Sequence, residues 1–156
     1  MIRLPATALI FLIGVSFTQP IKAQPQQQKP PVVMNHLAWH VTNLQASTSF
    51  YTKIIGLDTI PEPFHDGKHT WLSLGNDGHL HLIQAPGVPL IPGKNTHLCF
   101  SMKDVNAFIS LLKDNNISWE DWAGTKLAIT TRVDGVHQIY LKDPDGYWLE
   151  INDATH

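Results

Sequence analysis

From His36 to Val41 polar and apolar positions alternate one for one: His36, Ala38 and His40 fall on one side, Leu37, Trp39 and Val41 on the other. This is the two-residue period of a strand that turns one face to a core. After Asn43 the rhythm changes, and Leu44, Phe50, Tyr51 and Ile54 recur at helical intervals. Asn43 is suited to cap that helix and Gly56 to stop it. The same pattern returns 61 positions later, where His36 falls on His97, Leu37 on Leu98, Trp39 on Phe100, Val41 on Met102 and Leu44 on Val105. There Asp104 is the expected N-cap, Val105, Phe108, Leu111 and Leu112 the buried stripe, and Asn115 or Asn116 the end.

Strand patterns follow each helix. In the first half they are GLDTI, HTWLSL and HLHLIQ; in the second, ISWEDW, VHQIYL and YWLEIN. Turn formers separate them, notably Asn76-Asp77-Gly78 and Asp143-Pro144-Asp145-Gly146. The Pro- and Gly-rich stretch from Ala85 to Asn95 joins the halves. The pattern predicts an α+β fold of two tandem β-α-β-β-β modules, about 34–86 and 95–153. Each cupped mixed sheet is half-covered by a helix, and the uncovered faces are expected to meet in a shared metal-binding cleft.

The histidines point to that cleft. His36 and His97 hold equivalent places on the first strand of each module, His81 lies on the last strand of the first, and Glu150 on the last strand of the second. Neutral imidazoles with a carboxylate suit one divalent ion, Zn, Fe, Mn, Co or Ni. Glu150 stands in an otherwise apolar strand, where an unpaired carboxylate would be costly and a bound cation would remove that cost. On this view Glu150→Gln leaves the metal-free protein no less stable. His81 is less secure than the rest. Aligning the turn glycines Gly78 and Gly146 matches Glu150 to Leu82, so His81 becomes its counterpart only if the first turn is one residue shorter. His79 shares the face of His81, and we assign the ligand place to His81 with His79 as the alternative. His40, His79, Trp148 and Tyr140 are candidates for lining a substrate pocket.

Composition narrows the setting. The sequence opens with Arg3, an apolar run from Ala6 to Phe17 and a small residue at Ala23, the layout of a signal peptide over residues 1–23. The run is too short to span a membrane, so the expectation is export to a periplasmic or extracellular location with no membrane span after cleavage. Residues 24–33, beginning QPQQQKPP, read as a linker and 34–156 as one domain. Loss of Arg3 and Lys22 with the leader leaves nine basic against 13 acidic side chains, which gives no reason to expect a nucleic-acid partner. Cys99 is the single cysteine, so no disulfide forms within the chain; its strand pattern predicts a small buried apolar residue.

NHLAWHVTNLQASTSFYTKIIGL, THLCFSM and IYLKDPDGYWLEI together resemble the vicinal oxygen chelate superfamily, which includes glyoxalase I, extradiol dioxygenases, fosfomycin-modifying enzymes and bleomycin-resistance proteins. The resemblance implies a divalent ion held by His36, His97 and Glu150, with His81 at a fourth place that is often Glu in glyoxalases. It implies a small substrate that chelates the ion through neighbouring oxygens, and a homodimer, because modules of this family commonly pair across chains. An enzyme of this kind is a glyoxalase-like lyase or isomerase, with Glu150 taking a proton from the carbon next to a polarised carbonyl, or a small ring-cleaving dioxygenase. The alternative is a non-catalytic binding protein for a drug or aromatic molecule, of the bleomycin-resistance type. A third possibility, that HLHLIQ is the paired-histidine motif of a cupin, conflicts with the helix after each histidine strand.

Overall fold

A computed structural model describes residues 32–75 and 77–155. The expected leader, and the expected linker as far as residue 31, lie outside the described residues. Among the described residues no helix is long and apolar enough to cross a membrane.

Each module forms its own four-stranded mixed sheet. In the first, β1 (His36–Val41) runs parallel to β4 (Gly78–Gln84), and β3 (His69–Gly75) and the short β2 (Thr59–Ile60) follow antiparallel. In the second, β5 (Leu98–Ser101) runs parallel to β8 (Trp148–Asn152), followed by β7 (His137–Lys142) and β6 (Thr130–Thr131). The parallel pairs require crossovers, and each contains the expected helix. Helix α1 (Leu44–Phe50) begins where the Asn43 side chain accepts from the Ala46 N–H. It then widens into a π-helical turn over Tyr51–Ile55 and stops at Gly56, whose φ of 86° is left-handed. Helix α2 (Val105–Asp114) is capped by Asp104, which accepts from the Asn106 and Ala107 N–H groups; it buries Val105, Phe108, Ile109 and Leu112.

One predicted strand is not there. ISWEDW contributes only isolated bridges, of Glu120 to Lys126 and to Tyr140, and with Tyr140 it exchanges both backbone hydrogen bonds at 2.8 Å. Past Glu120 the Asp121 side chain accepts from the Thr125 N–H, turning the chain, and the outer strand of this sheet is Thr130–Thr131 instead.

The helix-facing sides of both sheets belong to one apolar interior. Leu72, Leu80 and Leu82 of the first module and Ile139, Leu141, Leu149 and Ile151 of the second are fully or almost fully buried in the same cluster, with Leu37, Trp39, Leu98 and Phe100 packed against it. Across the join Trp39 stacks on Tyr147 at 4.4 Å between ring centroids. The turn before β8 is bolted to the first module by its aspartates. Asp143 accepts from the Tyr51 hydroxyl at 2.8 Å, and Asp145 accepts from the Thr42 N–H, the Thr42 hydroxyl and the Ser47 hydroxyl at 2.7 Å each.

Burial pushes the Asp143 carboxyl above the usual aspartate range, although Tyr51 and backbone N–H groups favour its anion. Between the ordinary aspartate pKa and this raised one, the folded protein holds more protons than the unfolded chain. Stability therefore falls as pH rises through that window and is level above it. Tyr51→Phe removes a donor from the buried anion and is expected to cost about 1–3 kcal/mol near neutral pH. The cost should shrink in mild acid, where Asp143 is protonated; denaturant unfolding of both proteins at the two pH values checks this.

Candidate functional site

The face of each sheet opposite the shared interior carries the polar residues, as the two-residue period requires. In the first module β1 pairs with β4 so that His36 lies opposite His79 and Ala38 opposite His81, and β3 sets Trp71 against His81. In the second, Cys99 lies opposite Glu150 and Tyr140 opposite Glu150. Ala38 and Cys99 are repeat equivalents, so His81 and Glu150 hold the same place in the two sheets. This settles the register that turn alignment left open. At the position two before the first common rung of the returning strand, the left-handed residue is Gly146 in the second turn, with φ 99°, and Asp77 rather than Gly78 in the first, with φ 62°; Gly75, at the end of β3, is left-handed as well, with φ 77°. Both turns have the same length. Matching glycine to glycine shifts the comparison by one, because an aspartate takes the position that usually favours glycine.

The first cluster is stacked. The His81 ring lies between Trp71, 4.0 Å away and 1° from parallel, and His36, 4.3 Å away and 8° from parallel. Burial, then repulsion from His36, His79 and His69, pushes the His81 pKa below the usual histidine range, so the imidazole is uncharged near neutral pH. Its Nε2 is buried with no hydrogen-bond partner. A cavity of about 450 Å³ opens here, walled by Phe64, Trp71 and Ile83 and edged by His36, His79 and His81. His79 is among the residues lining this cavity. His40 is not among its lining residues, because its Nε2 bonds the Ala85 carbonyl at 2.9 Å.

The second cluster is charged and hydrogen-bonded. Glu150 Oε2 accepts from the Tyr140 hydroxyl at 2.6 Å, and Oε1 accepts from Asn152 Nδ2 at 2.9 Å and from the Cys99 thiol at 3.4 Å. Gln138 Nε2 in turn donates to the Tyr140 oxygen at 2.7 Å. Burial alone would raise the Glu150 pKa; the hydrogen bonds from Tyr140, Asn152 and Cys99, with His97 nearby, outweigh it and hold the carboxyl below the usual range. Cys99 is not the buried apolar residue its pattern suggested. It is exposed on this face, and burial of the sulfur together with the Glu150 charge pushes its thiol up to about 12, so it stays protonated.

His97 completes this group. Its Nδ1 lies 2.7 Å from the Lys94 carbonyl, which can only accept, so the proton is on Nδ1. Nε2 then presents a lone pair 3.2 Å from Glu150 Oε2, an acceptor facing an acceptor unless a proton or metal ion lies between them. His36 is held in the same way, with Nδ1 2.7 Å from the Asn35 side-chain oxygen. Histidines pinned through one nitrogen with the other left free are what metal ligation uses. Together with the unpartnered Nε2 of His81, these are donor types that suit a divalent ion.

The structure brings His36 together with His81, and His97 together with Glu150, but not all four. Among the described residues of one chain no three His, Cys, Asp or Glu side chains could hold a common ion. The shared cleft is therefore not closed within one chain, because the modules meet through their helix-facing sides and leave the histidine faces outside that contact. Gln138, Asn152 and Lys94 were not singled out as site residues from the sequence. Gln138 and Asn152 carry only the signal of strand parity with Glu150, and Lys94 lies in the turn before β5, outside any strand pattern.

The family model described as the Glyoxalase/Bleomycin resistance protein/Dioxygenase superfamily matches residues 33–151. The uncharacterized protein YaeR of Escherichia coli strain K12 is 28% identical over 129 residues, covering 76% of this chain and 93% of YaeR. Metallothiol transferase FosB of Staphylococcus epidermidis is 26% identical over 128 residues, covering 78% of this chain and 82% of that protein. Among solved structures, oxidase ChaP-H1 superposes with a TM-score of 0.63 at 25% identity, over 80% of this chain and 98% of that one.

The hydrogen bonds to Glu150 reverse the sequence-based expectation for its replacement. The carboxylate is satisfied without a metal, so in metal-free protein Glu150→Gln turns an amide N–H₂ toward existing donors and is expected to cost about 1–3 kcal/mol near neutral pH. Because the folded pKa is lowered, the stability Glu150 contributes is present above its unfolded pKa and is lost as pH falls through the folded one. Thermal unfolding of both proteins in chelator, from neutral to acid pH, should show the difference narrowing toward acid.

Proposed function

The chain belongs to the glyoxalase/bleomycin resistance protein/dioxygenase superfamily, and from that premise we propose that it is a divalent-metal-dependent enzyme. Its substrate is a small molecule that chelates the ion through neighbouring oxygens. The site is completed across a homodimer, with His36 and His81 supplied by one protomer and His97 and Glu150 by its partner. What supports this above all is the common rung, which sets His81 and Glu150 at the same place on two separate open faces.

When bound, the ion supplies Lewis-acid polarisation of the substrate oxygens. The three imidazoles contribute no charge, so Glu150 provides the one anionic ligand. Its three side-chain donors make it a weak base. For Glu150 to take a proton from carbon, Tyr140 must turn its hydroxyl from Oε2 to the substrate, which raises the basicity of the carboxylate as the substrate oxygen gains a donor. Lyase or isomerase chemistry uses that transfer; ring-cleaving dioxygenation needs iron and does not depend on it.

One observation favours a second reading, a binding protein without turnover. The cavity of about 450 Å³ is walled largely by Phe64, Trp71, Ile83 and Ala38, an aromatic and apolar lining suited to a flat ligand. Elemental analysis separates the readings, since the enzyme should hold close to one ion per chain and the binding protein none.

Cross-chain assembly is tested by mixing two inactive variants, His36→Ala/His81→Ala and His97→Ala/Glu150→Gln, after unfolding and refolding them together. Neither alone should hold metal. In a mixed dimer one of the two sites is wild type, so an equal mixture should regain about a quarter of the metal. No recovery despite mixed-dimer formation would rule the cross-chain site out.

We also propose that the protein is exported, on the strength of the leader-like residues 1–23. Mass spectrometry of the protein recovered from the periplasmic or extracellular fraction should find a mature N-terminus near Gln24. An intact Met1 there would contradict cleavage.

A further inference from the structure

The second sheet carries a positive charge that the metal site does not use. Beside Glu150, on the same face, lies a cavity of about 410 Å³ lined by Ile117, Trp119, Glu120, Tyr140, Lys142 and Trp148. Two charged side chains line it, Glu120 and Lys142, and Lys94 reaches its edge over the Tyr140 and Trp148 rings. Lys94 and Glu120 form an ion pair, and the Lys94 ammonium also donates to the Asp121 and Trp122 carbonyls at 3.1 and 3.3 Å, so its three donors are committed. Lys142 is different. Its ammonium lies 4.7 Å from the centroid of the Trp148 ring, and among the described residues it has neither a carboxylate nor a hydrogen-bond acceptor. With Lys94 and Glu120 paired, Lys142 is the cation of this cavity that no carboxylate pairs among the described residues.

Its place is set by the register. Lys142 lies opposite Trp148, two residues along from the rung that sets Tyr140 opposite Glu150. At strand rise the two rungs are about 7 Å apart, within the span of one small molecule. The first module has Ser73 opposite His79 at the equivalent rung and no cation there. A cleft built from the two modules is thus charged at one end only.

We propose that this cavity binds a carboxylate of the substrate, with the Lys142 ammonium as its ion-pair partner and Ile117, Trp119 and Tyr140 as apolar wall. The substrate class is then a small organic acid whose chelating oxygens lie a ring's width from an anionic end. Trp148 keeps the ammonium at the cavity by cation–π contact when no anion is present. In this role Lys142 fixes which way round the substrate lies, since the opposite end of the cleft offers serine and histidine instead. The inference rests on the small-molecule site proposed above, but not on the metal.

The test uses the full chain in chelator, so that binding is read without metal. 1-Naphthoate and its neutral amide, 1-naphthamide, share a ring system and differ in charge; each is titrated while tryptophan fluorescence is followed. Naphthoate should bind about tenfold more tightly than the amide, the value of one charge-assisted contact. Lys142→Met should abolish the preference and Lys142→Arg should keep it. Equal affinity for the two probes, no binding of either, or a preference that survives Lys142→Met would overturn the proposal. Metal content of the same samples without chelator is measured separately and should be equal in wild type and Lys142→Met. A wild type that holds no metal counts against the metal enzyme and leaves the naphthoate result to decide the carboxylate site.

Discussion

The parallel pairing of β1 with β4 and of β5 with β8 fixes every side chain that matters to the site. In a strand the faces alternate strictly, so a slip of one residue in either pair would carry His81 or Glu150 into the apolar interior and bring a leucine or isoleucine out. Leu80, Leu82, Leu149 and Ile151 oppose that slip, because each would lose a fully buried position. At roughly 1.5–3 kcal/mol for each such side chain, the buried leucines and isoleucines define the register more strongly than any contact among the polar groups. The polar face is held in place by the apolar one.

The same division decides how the modules meet. Their helix-facing sides share one interior, and the Asp143-Pro144-Asp145-Gly146 turn adds Tyr51, Thr42 and Ser47 as fixed partners for its carboxylates. Buried aspartate oxygens that accept several hydrogen bonds are costly to leave unsatisfied, so this join is specific as well as apolar. Its consequence is that the polar faces of the two sheets lie outside the shared interior, each as one of the two half-sites of the proposed centre. A proposed dimer closes what the monomer leaves open.

The half-sites are not copies of each other. His81 is backed by a parallel indole and pushed toward its neutral form, whereas Glu150 is held by a hydroxyl, an amide and a thiol and kept as an anion. A stacked ring orients its imidazole without competing for the free nitrogen, and hydrogen bonds orient a carboxylate while spreading its charge. One repeated backbone position therefore carries a neutral donor in one sheet and the negative charge in the other. A divalent ion between them would keep a net charge of about +1.

The amino-acid sequence determined whatever depends on near neighbours. The alternation at His36–Val41, the caps Asn43 and Asp104, the stop at Gly56 and the offset of 61 between repeats specified two β-α-β-β-β modules and put His36, His97 and Glu150 on polar faces. Strand parity and helix caps are local physics, so they can be read along the chain. The sequence did not decide between Leu82 and His81, because turn geometry depends on which residue takes the left-handed conformation, and Asp77 does so in place of a glycine. ISWEDW carried strand propensity but was reduced to isolated bridges at Glu120 once Asp121 folded the chain back. Cys99 matched a buried pattern but is exposed on the polar face of its sheet. Whether the four ligand candidates converge was settled only in three dimensions. That outcome depends on which sheet faces bury each other, and an alternating strand specifies that one face is buried without specifying what buries it.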